Sequence, residues 1–60
     1  MKSREFIREL SRHGWYVVRQ TGSHIILKHD LKPNKLSVPY HGSKEIGKGL
    51  ERKIRKNAGI

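Results

Sequence analysis

Two runs rich in aromatic and β-branched residues, Trp15-Tyr16-Val17-Val18-Arg19-Gln20 and His24-Ile25-Ile26-Leu27-Lys28-His29, are separated only by Thr21-Gly22-Ser23. Residues of this kind suit strands. A turn this short joins antiparallel neighbours, because parallel strands need a crossover of about a dozen residues or more. Gly22 supplies the turn with a residue free to take φ > 0. A third run, Lys35-Leu36-Ser37-Val38-Pro39, alternates polar and apolar and predicts a half-buried strand, with Pro39 at its end or on an edge. Asp30–Asn34, carrying Pro33-Asn34, reads as the loop before it. Three strands with short connections make an antiparallel meander.

A helical pattern flanks the strands on each side. Ser3 is placed to cap the first helix, with Glu5 in the first turn, Phe6, Ile7 and Leu10 as its apolar stripe, and Gly14 to end it. Ser43 is placed to cap the second, in which Ile46, Leu50 and Ile54 recur every four residues, Ala58 continues the stripe, and Asn57-Ala58-Gly59 closes it. Gly47 and Gly49 weaken its first two turns by up to ~1 kcal/mol each relative to alanine. Two helices with one apolar stripe apiece are most simply buried together on one face of the sheet, leaving the other face open. The expected fold is therefore a single α+β domain over residues 1–60, ordered α-β-β-β-α. This is the layout of a double-stranded-RNA-binding domain, though a fold does not by itself establish a function.

Alternation assigns side chains to faces. Leu36 and Val38 point to the helices, so Lys35 and Ser37 point outward. In the second strand Ile25, Ile26 and Leu27 are all apolar. Two inward residues against one favours Ile25 and Leu27, which puts His24, Ile26 and Lys28 on the open face.

The charge narrows the partners. Among 60 residues, 14 are Lys or Arg and 5 are Asp or Glu, a formal net charge of +9. Such a field attracts polyanions, nucleic acid first and anionic membrane or acidic protein second. The chain has no cysteine, hence no disulfide and no thiolate nucleophile or zinc ligand. No apolar run approaches the roughly 20 residues that span a bilayer. The charged segment Met1–Leu10 does not read as a secretory signal, and a cytoplasmic location is expected.

Several motifs together resemble the HicA toxins. They are Gly14-Trp15 after a short helix, Arg19-Gln20-Thr21-Gly22-Ser23-His24 followed by three apolar residues and Lys28-His29, then Val38-Pro39-Tyr40-His41-Gly42, and the closing Ile54-Arg55-Lys56-Asn57-Ala58-Gly59-Ile60. The resemblance runs from about Glu5 to Ile60. It implies a double-stranded-RNA-binding-like fold, metal-independent ribonuclease activity on mRNA with no cofactor, and an acidic HicB-like antitoxin that masks the active site. It also implies that His24 is the catalytic histidine.

The residues support that chemistry on their own terms. RNA can be cleaved through its own 2′-hydroxyl, given a base for that proton, an acid for the 5′-oxygen and positive charge for the phosphorane. A histidine suits either proton role, and cations on the same face stabilise the charge. Arg19, Lys28, Lys35 and Lys44 are candidates for holding RNA. Ser23 either bonds a phosphate or ends the turn, and Gly22 either shapes the turn or admits an RNA backbone. His29, on the face opposite His24, is expected to pack or to end its strand. His41 sits in the loop before the last helix, within possible reach of the open face, and His13 ends the first helix. Trp15 is expected in the core, while Tyr16 and Tyr40 are candidates for base stacking. No histidine pair has helical metal-site spacing. Gly42-Ser43-Lys44-Glu45-Ile46-Gly47-Lys48-Gly49 nearly matches a phosphate-binding loop but ends in glycine where a hydroxyl is needed. A smaller role survives there, with Ser43, Lys44 and Lys48 at a helix N-terminus holding one backbone phosphate. The reading from another class is a non-catalytic RNA-binding module that uses the same basic surface.

Overall fold

The structure is a computed structural model and describes residues 1–41 and 44–60. Its elements run α1 (Ser3–Arg12), β1 (Trp15–Thr21), β2 (His24–His29), β3 (Lys32–Pro39) and α2 (Lys48–Ala58). The sheet is antiparallel in the order β1-β2-β3, so the α-β-β-β-α meander expected from the sequence is present.

Register fixes the two faces. Leu27 pairs with Leu36 and Ile25 with Val38, and all four are buried. They join Trp15 and, from the helices, Phe6, Leu10, Ile54 and Ala58 in one core. Both helices therefore cover the same face, with Ile25 and Leu27 turned inward as alternation predicts.

Gly22 has φ 58 while Ser23 keeps an ordinary negative φ. A positive φ at the first turn residue and a negative one at the second is the pattern of a type II′ hairpin turn, whose twist matches that of its strands. The turn is thus two residues long, and Thr21 belongs to β1, paired with His24.

Three sequence expectations are corrected. Ser3 is the first residue of α1 and Lys2 takes the cap position. The reason is a backbone bridge between Lys2 and Glu45, which lets the Ser3 N–H donate to the Lys44 carbonyl at 3.3 Å. A serine hydroxyl is therefore not needed as cap. Lys2 offers no side-chain acceptor, so the Glu5 carboxylate, accepting the Lys2 N–H at 3.1 Å, is the half of a capping box that operates.

Second, β3 begins at Lys32, so the loop expected over Asp30–Asn34 shrinks to its first two residues. Pro33 is tolerated because β3 is an edge strand and the ladder shifts register there. Asn34 stays exposed and donates to the Asn57 carbonyl at the end of α2 at 2.9 Å.

Third, α2 starts at Lys48 behind an extended Gly47, not at Ser43, which lies outside the described residues. Ile46 enters the core from the segment before the helix, its N–H bonded to the Met1 carbonyl at 3.0 Å, and Leu50 is exposed. The two glycines weaken helix there, and the N-terminal segment offers backbone partners instead.

α2 is fastened to α1 by Arg55. Its guanidinium reaches both carboxylate oxygens of Glu9, with Nη2 to Oε1 at 2.9 Å, donates from Nε to Glu51 at 2.9 Å, and stacks 5.2 Å from the Phe6 ring centroid. These bonds hold the Glu9 carboxyl below the ordinary carboxylate range.

Candidate nucleic-acid interface

The face turned away from the helices is an open surface, with no cavity enclosed among the described residues. A polymer can lie across such a surface, whereas a small ligand prefers a pocket. His24 opens β2 at the hairpin end, exposed, between Thr21 on one neighbour and Pro39 on the other. The Tyr40 N–H donates to the Ser23 carbonyl at 2.6 Å, just beyond the His24–Pro39 pair. That is the pattern of a non-hydrogen-bonded pair, in which the missing N–H of Pro39 costs the ladder nothing. Among the described residues no hydrogen bond reaches the His24 ring.

Ile26, next on the same face, pairs with Arg19 and with Ser37. Both are diagonal neighbours of His24, with Cα atoms about 7–8 Å away and long side chains within reach. Lys28 pairs with Tyr16, and Lys35 shares the face by alternation from Leu36. Arg19, Ser37, Lys28 and Lys35 are all exposed. The Tyr16 hydroxyl donates to Asp30 at 3.1 Å, which tethers its ring beside Lys28 and raises the phenol above its ordinary value.

Arg19 reaches this face through an irregularity. Val17 pairs with Leu27 but Arg19 pairs with Ile26, so β1 carries one extra residue at Val18. Strict alternation from the buried Trp15 sends Arg19 to the helix side. The β-bulge reverses the parity and turns Arg19 to the side of His24. No sequence pattern marks it. Thr21 is the residue that sequence reasoning missed. Its place beside Gly22 gives it the look of a turn residue, and a two-residue count of Gly22-Ser23 would have placed its hydroxyl opposite His24.

The other histidines separate clearly. His29 lies on the helix side, edge-on to Trp15 with ring centroids 5.2 Å apart. Its Nδ1 accepts the Leu31 N–H at 3.0 Å, which leaves Nε2 to donate to the His13 carbonyl at 2.9 Å. It ties the β2–β3 turn to the end of α1, as its expected packing role requires. His41 is exposed two residues beyond Pro39, and its carbonyl accepts the Lys44 N–H at 3.3 Å. Trp15 is in the core and Tyr40 packs against it.

Ser23 sits in the exposed turn beside His24. Lys44 lies apart from the ladder, four residues before α2, in the segment bonded to Ser3. Of the two described members of the phosphate site expected of Ser43, Lys44 and Lys48, Lys44 therefore lies outside the helix N-terminus. Ser43 is outside the described residues, and only Lys48 opens the helix. Among the described residues no three His, Asp or Glu side chains group as metal ligands, and no helix is long and apolar enough to cross a membrane.

A small basic α+β domain with a histidine on an open sheet face is what the geometry defines. The family model described as the HicA toxin of bacterial toxin–antitoxin matches residues 3–60. The chain belongs to the HicA toxin family, and so is the toxin of a bacterial toxin–antitoxin pair. No curated protein matches it.

Proposed function

We propose that this toxin is a metal-independent endoribonuclease acting on mRNA, with His24 as its proton-transfer residue. The observation that carries the reading is the clustering of His24 with Arg19 and Ser37 on one exposed, basic sheet face. In the reaction the 2′-hydroxyl loses its proton and its oxygen bonds to phosphorus. The bond from phosphorus to the 5′-oxygen then breaks, and that oxygen takes a proton. The products are a 2′,3′-cyclic phosphate and a 5′-hydroxyl. His24 takes or gives one of these protons. Arg19, diagonal to it, holds the non-bridging oxygens as charge develops. Lys28 and Lys35 carry flanking phosphates, Ser23 and Lys44 hold the strand further along, and Tyr16 offers a ring for a base.

A HicB-like antitoxin with an acidic binding surface neutralises the toxin by covering His24. A surface that competes with phosphate blocks the histidine at the same time, and complementary charge speeds its arrival.

The second reading, a non-catalytic RNA-binding module, is favoured by one observation: no described residue orients the His24 ring. Incubating the pure protein with single-stranded RNA in EDTA decides between them. Cleavage to cyclic-phosphate ends supports the nuclease. A mobility shift with RNA intact supports the module and overturns the nuclease.

A further inference from the structure

The open sheet face carries Arg19, Lys28 and Lys35, a minority of the chain's 14 Lys and Arg residues. Much of the remainder is ordered on the opposite side of the molecule. In α1, Arg4, Arg8 and Arg12 recur every four residues, all exposed, on the side of the helix away from buried Phe6 and Leu10. In α2, Lys48, Arg52 and Lys56 repeat the same spacing, all exposed, away from buried Ile54 and Ala58. Residues four apart stand about 6 Å from one another, so each helix presents a straight row of cations.

The acids on these helices are engaged elsewhere. Arg55 occupies both Glu9 and Glu51, and Glu5 accepts the Lys2 N–H. Among the described residues none of the six cations is in a salt bridge. Arg55 also links the two helices, and both rows lie on the side turned away from the core.

We infer that this outer helical surface is a second RNA-binding surface, separate from the His24 face, which grips the phosphate backbone without cutting it. RNA fits the rows better than a protein does. A protein interface needs a dry core with aromatic or apolar anchors, and the rows hold none. A membrane surface needs an apolar face beneath the cations, which is turned into the core here. The Cα envelope measures 29 × 22 × 16 Å, so one RNA strand longer than that can touch both faces of a single molecule. The role of the surface is to keep the toxin on its substrate between cuts.

The inference rests on RNA being the ligand of this toxin, and the test separates the two claims. In a His24→Ala background, which leaves RNA intact, Arg4→Gln/Arg8→Gln/Arg12→Gln and Arg52→Gln/Lys56→Gln are compared for binding to a long unstructured RNA across salt concentrations. Glutamine keeps helix propensity, and circular dichroism checks the fold. The expected result is affinity about tenfold weaker, with the log–log salt slope reduced by about 0.7 for each phosphate no longer neutralised. With native His24, the same substitutions leave cleavage of a tetranucleotide, too short to reach both faces, at the parent rate. Unchanged affinity and slope overturn the inference, as does tetranucleotide cleavage falling in parallel. So does RNA binding that is retained while neutralisation by the antitoxin is abolished, which assigns the rows to a protein. If the native chain cleaves no RNA yet the helical substitutions weaken its binding, the surface stands and the nuclease reading falls.

Discussion

His24 and His29 begin and end the same strand, five residues apart, and that odd spacing sends them to opposite faces. One is exposed with open approach. The other has both ring nitrogens occupied and a tryptophan against its edge. His29→Ala should therefore destabilise the fold by about 1–3 kcal/mol in urea unfolding, while cleavage by the folded fraction stays near the parent level. A loss of cleavage as severe as that of His24→Ala contradicts the face assignment. Arg19 permits a stricter test, because its neighbour Gln20 pairs with Ile25 and so faces the helix side. Exchanging the two, Arg19→Gln with Gln20→Arg, conserves composition and net charge, moves the guanidinium to the helix side, and gives up the bond that the Gln20 amide donates to the Gly22 carbonyl at 3.0 Å, so circular dichroism checks the hairpin. Cleavage should fall about 100-fold, the usual cost of removing one donor to a developing anion. A native rate from the exchanged variant means that bulk charge suffices. The faces of β2 were legible in the sequence because apolar residues at Ile25 and Leu27 outvote Ile26. The face of Arg19 was not, because a bulge changes parity without changing composition.

At the scale of the elements, strands and turns were more legible than helix ends. The first hairpin was visible from Gly22 and the β-branched runs around it. The start of α2 was not, because Ile46 has the spacing of a helical residue yet reaches the core from an extended segment bonded to Met1. Ser3 misleads in the same way, since its orphan N–H is satisfied across the chain by Lys44. Long-range backbone pairing of this kind leaves no local signature. Two glycines test the turn geometry. Gly22 has φ 58 and open space where a Cβ would sit, so Gly22→Ala costs only the strain of a positive φ, about 1–3 kcal/mol. Gly14 has φ 94, and a Cβ there would lie 2.5 Å from His29 Nε2. Gly14→Ala should cost more than Gly22→Ala in thermal unfolding followed by circular dichroism. The reverse order contradicts the placement of His29.

For the whole molecule, the core and the Arg55 clamp lie on one side of the sheet and the proposed site on the other. The Arg55 clamp is the main polar link between the helices, and Glu9 titrates below the ordinary carboxylate range because of it. A depressed carboxylate contributes stability that is fully present above its unfolded value and is lost as pH falls through the lower folded one. Unfolding followed by the single tryptophan, Trp15, should show stability declining on that acid limb. Arg55→Met, which keeps a hydrocarbon chain beside Phe6, should cost about 2 kcal/mol at neutral pH and flatten the limb. An unchanged acid limb in that variant means the clamp is not what Glu9 feels. None of this should disturb the open face, where the central claim is decided by the cleavage rate of single-stranded RNA in EDTA by the native chain and by His24→Ala. The substituted residue is exposed and outside the core, so the variant should fold and still bind RNA. Its cleavage rate should be lower by about 100-fold or more, the range for loss of a proton-transfer group. A folded His24→Ala protein that cuts RNA at the native rate contradicts the account.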